Sequence, residues 1–296
     1  MRKNITFKSK GLNCAGWLYI PDSLKSGVKA PAIVMAHGHS AVKEQYLAGF
    51  AERFAAAGFV TLVFDYRWWG ASEGEPRCQL FPLEQVEDYR NAITWVSEQP
   101  EVDPTRIGLW GSSYSGGIIV YVATFDKRVK ALIGQVPGVI SLDDRRAMNP
   151  ARWDAVGEYL LRDRINRYHT GAVNYMKVVT LENEPCSLAG KEAYDFFMAS
   201  REVAPAWRNQ ITAESVEKMR EFDAGRLIYW VTPAALLLLP AEKDYLLPFA
   251  AVKDAYERAR EPKAMLPLPV GHFEVYFEPW LSKSAGAAVE WFRKYL

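Results

Sequence analysis

T-R-I-G-L-W-G-S-S-Y-S-G-G, residues 105–117, is the stretch whose reading decides the fold. Ile107, Leu109 and Trp110 predict a short buried strand that Gly111 ends, and Ile118 to Ala123 predict an apolar helix. A strand turning sharply into a helix, with serine at the bend, is the geometry of a nucleophile elbow. Small residues suit such a bend, because backbone at positive φ or pressed against a neighbouring strand leaves no room for Cβ. Ser113 has Gly111 before it and Ser115 after it; Ser115 has Ser113 before it and Gly117 after it. Ser113 is preferred because it lies nearer the strand end, where the turn must be tightest; Ser112 comes last, flanked by Trp110 and Tyr114. The same stretch also fits a Gly/Ser-rich helix start that binds nothing or cradles an anion, so its neighbours have to decide.

On the N-terminal side, Ile5-Thr6-Phe7 and the run from Leu12 to Tyr19 predict two strands joined near Lys10-Gly11. Ala32 to Ala36 and Val60 to Phe64 are short continuous apolar runs, the pattern of strands buried on both faces. Each runs straight into a polar loop: His37-Gly38-His39-Ser40 after the first, Asp65 to Gly74 after the second. Helical spacing appears from Tyr46 to Ala57 and again from Leu83 to Val96. Beyond the elbow, Leu132 to Val136, Ala235 to Leu239 and Ala264 to Leu268 read as further strands. A helix follows near 249–260 and a last one from about Ser284 to Tyr295. Strand and helix in alternation predict an α/β fold with a mostly parallel central sheet and helices on both faces. In such sheets, ligands bind beyond the carboxyl ends of the strands, which would gather Ser113, His37 to His39 and Asp65 to Arg67 along one edge. Asp65 and Arg67 are expected to pair with each other and brace their loop.

Between residues 141 and 226 the rhythm breaks. No strand-like run appears, helical spacing recurs in 153–160 and 193–197, and aromatics are frequent. We therefore expect residues 1–140 and 227–296 to form the core and 141–226 to form a helical cap insertion. Most of the cap aromatics should build its own small core. Trp153 and Tyr159, with Trp68 and Trp69 from the loop after Asp65, are the ones expected to line a substrate pocket.

Composition narrows the field. The 296 residues carry 36 basic and 35 acidic side chains, formal charge +1, and no basic run, which argues against nucleic acid. The longest apolar run, Ala234 to Leu239, is too short to span a bilayer. The N-terminal residues lack an apolar signal segment, so a cytoplasmic protein is expected. Cys14, Cys78 and Cys186 are widely spaced, and no Cys/His pair has zinc-ligand spacing. We expect reduced thiols, no metal and no cofactor. A small-molecule acyl substrate is the expected partner; the sequence leaves the oligomeric state open.

A serine hydroxyl needs a base, and the base needs a partner that fixes its tautomer. Of four histidines, His272 is preferred as base, since it follows a predicted strand next to Gly271 at the same edge. His169 lies among charged residues in the insertion and reads as a surface histidine. Asp244, after the Ala235 to Leu239 strand, is preferred as third member over Glu242 and Glu274. The resulting order Ser113, Asp244, His272 is the one this type of fold uses. Oxyanion donors are expected from the backbone N–H of Tyr114, at the helix start, and of His39, where Gly38 lets the loop turn closely.

Five motifs stand in register: H-G at 37–38, D-Y-R-x-x-G-x-S-x-G at 65–74, G-S-S-Y-S-G-G at 111–117, E-K-D-x-x-x-P at 242–248 and G-H-F-x-x-Y at 271–276. On these the chain resembles the α/β-hydrolase superfamily over nearly its whole length apart from the insertion. Within it, the chain is similar to dienelactone-hydrolase-like and polyketide-transferase-like serine esterases and acyltransferases. The resemblance implies Ser113 as nucleophile, Asp244 and His272 as its relay, and Tyr114 and His39 as oxyanion donors. Two positions depart from the pattern. Ser115 stands where glycine is usual, and Trp68-Trp69 is bulky, which bears on substrate preference rather than on the chemistry.

The expected function is a serine hydrolase acting on an ester or thioester through an acyl-enzyme. Acyl transfer to an alcohol or amine, and C–C bond hydrolysis, use the same machinery. A non-catalytic ligand-binding protein is the reading from another class, since fold alone does not imply catalysis; it gains ground if Asp244 or His272 lies far from Ser113.

Overall fold

The structure is a computed structural model that describes residues 1–182 and 184–296. Its frame is an eight-stranded sheet. In chain order the elements are β1 (Arg2–Ser9), β2 (Leu12–Tyr19), β3 (Ala30–Ala36), α1 (Ala48–Ala56), β4 (Val60–Phe64), α2 (Pro82–Ser97), β5 (Val102–Ser112), α3 (Tyr114–Phe125) and β6 (Val129–Gln135). Then come α4 (Leu142–Met148), α5 (Pro150–Thr170), β7 (Tyr175–Met176), α6 (Lys191–Ala199), β8 (Ile211–Thr212) and α7 (Ala213–Glu221). The chain closes with β9 (Ala235–Leu239), α8 (Phe249–Arg258), β10 (Lys263–Met265) and α9 (Trp280–Tyr295).

The sheet order is β1-β2-β4-β3-β5-β6-β9-β10. The β1–β2 hairpin is antiparallel and joins β4 antiparallel; every pairing from β4 to β10 is parallel. Alternating side chains explain why the central runs are apolar throughout. Along β3, Ala32, Val34 and Ala36 enter the core covered by α2 and α3, whereas Ile33 and Met35 enter the core covered by α1 and α9. Along β9, Leu236 and Leu238 face the first core, and Ala235, Leu237 and Leu239 the second. A polar side chain on either face of these two strands would be buried, and both faces of β3 and β9 are hydrophobic.

Several details differ from the sequence reading. β5 runs through Gly111 to Ser112 instead of stopping at Gly111. β10 is only three residues long: the Leu266 N–H still donates to the Leu238 carbonyl (2.9 Å), but Pro240 has no N–H to give back to the Leu266 carbonyl; pairing resumes with one bridge between Ala241 and Leu268. α9 begins at Trp280, just after Pro279, rather than near Ser284. The described residues of 141–226 hold four α-helices and also a two-residue antiparallel ribbon, Tyr175↔Thr212 and Met176↔Ile211. That ribbon is too short to show alternation. Val178, Val179, Phe197, Trp207 and Ile211 from this segment join the core on the α2/α3 side of the sheet.

Candidate active site

β5 delivers the chain to Ser113 and α3 takes it away. Between them Ser113 adopts φ 56°, ψ −125°, a conformation that a residue with a side chain occupies only when its surroundings impose it. The backbone of Ser113 is pinned on both sides. Its N–H donates to the Gln135 carbonyl (2.9 Å), and its carbonyl accepts from Gly116 (2.9 Å) and Gly138 (2.8 Å). A Cβ at Gly111 would sit 2.6 Å from the Ser115 carbonyl oxygen, so only glycine permits so sharp a bend.

The three serines of the stretch part company here. Ser115 is fully buried, with Oγ 2.8 Å from the Tyr89 hydroxyl and 3.1 Å from that of Tyr66. That buried pair of phenols explains why a serine is accommodated where glycine is usual. Ser112 Oγ lies 2.5 Å from the Tyr276 hydroxyl. Ser113 Oγ instead lies 3.0 Å from His272 Nε2. His272 Nδ1 is 2.6 Å from Asp244 Oδ2, and Asp244 Oδ1 accepts from the N–H groups of Leu246 (2.8 Å) and Leu247 (2.9 Å). Both side chains of the His272–Asp244 pair are buried. Asp244 follows β9 and His272 follows β10, so the parallel sheet brings all three to its carboxyl edge. The competing acid Glu274 instead accepts from the Gly271 N–H at 2.6 Å.

The loop after β3 lies across the elbow. A Cβ at Gly38 would meet the Ser112 carbonyl oxygen at 2.9 Å and Ser113 Cβ at 3.1 Å, which is how closely this loop approaches. Tyr114 opens α3, where the first N–H groups have no intrahelical acceptor. The His39 N–H pairs with no carbonyl among the described residues. Neither N–H is thus tied to a backbone carbonyl among the described residues. Both histidine rings of this loop are buried and neutral: burial pushes the His37 imidazole down to about 4 and that of His39 to about 3. His37 Nδ1 donates to the Gly38 carbonyl (3.1 Å), and His39 Nε2 is 2.9 Å from Ser187 Oγ.

Asp65 and Arg67 do not pair with each other, contrary to expectation. Asp65 accepts from the backbone N–H and the Nζ of Lys43, both at 2.7 Å, and from Ala71 N–H at 3.0 Å, tying its loop to the one after β3. Arg67 turns the other way, to Asp88 (2.5 Å) and Glu84 (2.6 Å) on α2.

The four aromatics expected at the pocket also lie elsewhere. The cavity over Ser113 has a free volume of about 30 Å³ and is walled chiefly by Leu188, Phe196, Phe197, Leu246 and Phe273. Trp69 is turned away by its indole N–H, which donates to the Gln79 carbonyl (2.6 Å). With Trp68 it lines a separate hollow of about 320 Å³ beside Arg77, Cys78 and Trp207. Trp153 lies under the Arg220 guanidinium at 3.7 Å, and Tyr159 packs against the main core. Phe196 had been visible in the sequence as part of a helical pattern. Its neighbour in space, Phe273, follows His272 and stacks on it at 4.5 Å, a contact that no spacing within the chain reports.

All three cysteines are buried and free. Among the described residues no cluster of three or more His, Cys, Asp or Glu side chains is placed to hold a metal ion, and no helix is long and apolar enough to cross a membrane.

Comparison with known proteins agrees with this architecture. Residues 11–215 match the X-Pro dipeptidyl-peptidase (S15 family). The thiohydrolase aneE of Aspergillus aculeatus is 33% identical over 267 residues, 86% of this chain and 80% of that protein. The polyketide transferase grgF of Penicillium sp. is 28% identical over 89% of this chain and 86% of its own length; the crystal structure of GrgF superimposes with a TM-score of 0.86, covering 100% of this chain and 99% of that one. The structure of DcsB in complex with its substrate analogue gives a TM-score of 0.89 at 28% identity, each chain covered in full. The chain thus belongs to the X-Pro dipeptidyl-peptidase (S15) family within the α/β-hydrolase superfamily, and it is a hydrolase or acyltransferase.

Proposed function

We propose that this enzyme cleaves an ester or thioester through an acyl-enzyme on Ser113. The observation that carries the reading is the continuous hydrogen-bonded chain from Ser113 Oγ through His272 to Asp244, set at a strained bend. His272 Nε2 takes the hydroxyl proton as Oγ attacks the carbonyl carbon. Asp244 holds Nδ1–H and so keeps Nε2 free to act as base. The backbone N–H groups of Tyr114 and His39 receive the oxyanion. His272 then protonates the departing thiolate or alkoxide, and water releases the acyl group by the same steps in reverse. The thiohydrolase relatives favour a thioester substrate. Residues 141–226 act as a cap: Leu188, Phe196 and Phe197 give the site its apolar wall.

Acyl transfer is the second reading. Apolar walls disfavour water as the acceptor, and a polyketide transferase is among the relatives.

Turnover of octanoyl-N-acetylcysteamine and of an activated ester tests the proposal. Ser113→Ala is expected to lower kcat/KM by about 10⁴-fold or more. Retention of more than a few per cent of wild-type turnover removes Ser113 as nucleophile.

A further inference from the structure

Polar side chains lining the cavity over Ser113 are almost all engaged. Gln45 accepts from the Val42 N–H (2.8 Å) and donates to Ser200 Oγ (2.5 Å). The Tyr276 hydroxyl is paired with Ser112, and both nitrogens of His272 are used by Ser113 and Asp244. His37 spends Nδ1 on the Gly38 carbonyl, and its Nε2 is sealed from solvent without a partner.

His39 is different. Its Nε2 is anchored to Ser187 Oγ, which fixes the ring against the cap. Its Nδ1 has no partner among the described residues and, unlike His37 Nε2, is not sealed off. One ring nitrogen is therefore open on a ring that lines the cavity. Burial keeps the imidazole uncharged, so it recognises a hydrogen-bonding group rather than an anion. Ser187 Oγ also lies 3.3 Å from the Val178 carbonyl. When the Ser187 proton points there, Nε2 donates and Nδ1 accepts; in the other tautomer Nδ1 donates. A hydroxyl, which both donates and accepts, suits either. In a cavity whose other polar side chains are already engaged, a ligand without such a group leaves the nitrogen unsatisfied.

We propose that Nδ1 of His39 binds a hydroxyl group of the substrate, making His39 a specificity-determining residue. The proposal rests on the acyl-enzyme reading above. The hydroxyl belongs either to the acyl chain or to an alcohol acceptor. In the second case the alcohol oxygen bonds to the acyl carbon and its proton passes to His272. Ser113 Oγ then leaves and recovers that proton, while His39 only holds the hydrogen bond.

The test uses octanoyl, β-hydroxyoctanoyl and δ-hydroxyoctanoyl thioesters of N-acetylcysteamine with wild type, His39→Phe and His39→Asn. Ratios of kcat/KM between thioesters cancel any general damage to the oxyanion donors. Wild type is expected to favour one hydroxyacyl thioester by roughly tenfold; His39→Phe brings the ratio to near one, and His39→Asn keeps part of it. A ratio unmoved by His39→Phe, together with a roughly tenfold fall in partition of the acyl-enzyme to n-butanol over water, assigns the hydroxyl to the acceptor. If neither quantity responds to His39→Phe, the proposal is overturned. Affinity of Ser113→Ala for hydroxyoctanoates against octanoate reads the acyl preference without turnover. A wild type inert toward every thioester contradicts the acyl-enzyme reading, whereas equal affinities in that binding assay contradict a hydroxyl site for the acyl chain.

Discussion

The elbow at residues 105–117 and the segment at 141–226 sit on the same sheet edge but are built on opposite principles. At the elbow the backbone is strained and over-determined. Ser113 holds φ 56° because three backbone hydrogen bonds and the close packing of Gly111 leave it no alternative. Among the described residues of 141–226 only glycines have positive φ, and α5 leaves Leu161, Ile165 and Tyr168 at 57%, 51% and 84% exposure. Strain persists where neighbours can bear it, and it is found where chemistry needs a fixed atom. The 141–226 segment has a different task. It brings a few apolar side chains, Leu188 and Phe196 among them, over an atom that the core has already positioned.

If that contrast is right, substitutions should be felt in proportion to how fully a position is determined. Apart from loss of Ser113 or His272 themselves, the largest effect is expected at Gly38→Ala. Its new Cβ would meet the Ser112 carbonyl at 2.9 Å and push the β3 loop off the elbow, carrying the His39 N–H with it. We expect kcat to fall about 10²-fold with little change in KM, read by steady-state kinetics; a variant within threefold of wild type contradicts the close approach.

An intermediate effect is expected from acid. His37 and His39 are held neutral, down to about 4 and about 3, against an unfolded value of 6.5. The unfolded chain binds more protons than the native one between those values, so stability rises with pH across that window. It is fully present above about pH 6.5 and is lost as pH falls toward the folded values. Urea unfolding at pH 7 and pH 5 should show a loss on the order of 2 kcal/mol for each imidazole. Replacing both rings by asparagine should flatten that slope, and an unchanged slope argues against neutral burial. The smallest effect belongs to the outer face of α5. Leu161→Gln should shift the unfolding free energy by no more than about 0.5 kcal/mol, and a larger loss would mean that this face is packed in solution.

The same contrast governs what could be read without coordinates. β3, β4 and β9 were legible because strands buried on both faces are almost wholly apolar; Thr61 of β4 is the exception, and its hydroxyl donates to the Phe59 carbonyl (3.4 Å). Ser113 was legible because it directly follows β5, and Asp244 and His272 because they lie in the loops after β9 and β10, in an order that topology constrains. The cavity wall was not. Trp153 and Phe196 have the same helical spacing and similar bulk, yet one rests beneath Arg220 and the other stacks on Phe273. Only contacts between distant segments separate them. Asp65 illustrates the same limit: its partner Lys43 lies on the neighbouring loop, while α2 offers the nearby Arg67 two carboxylates. The β7–β8 ribbon is illegible in the sequence, since two residues per strand carry no period.

The central claim is that the strained serine, and no other, is the atom that attacks. Labelling the wild-type chain with a fluorophosphonate and mapping the adduct by peptide mass spectrometry tests it most directly. The account predicts a single adduct on Ser113 that forms at least about 10³-fold more slowly in His272→Gln. An adduct on Ser115 or Ser112, or a labelling rate indifferent to His272, would contradict it.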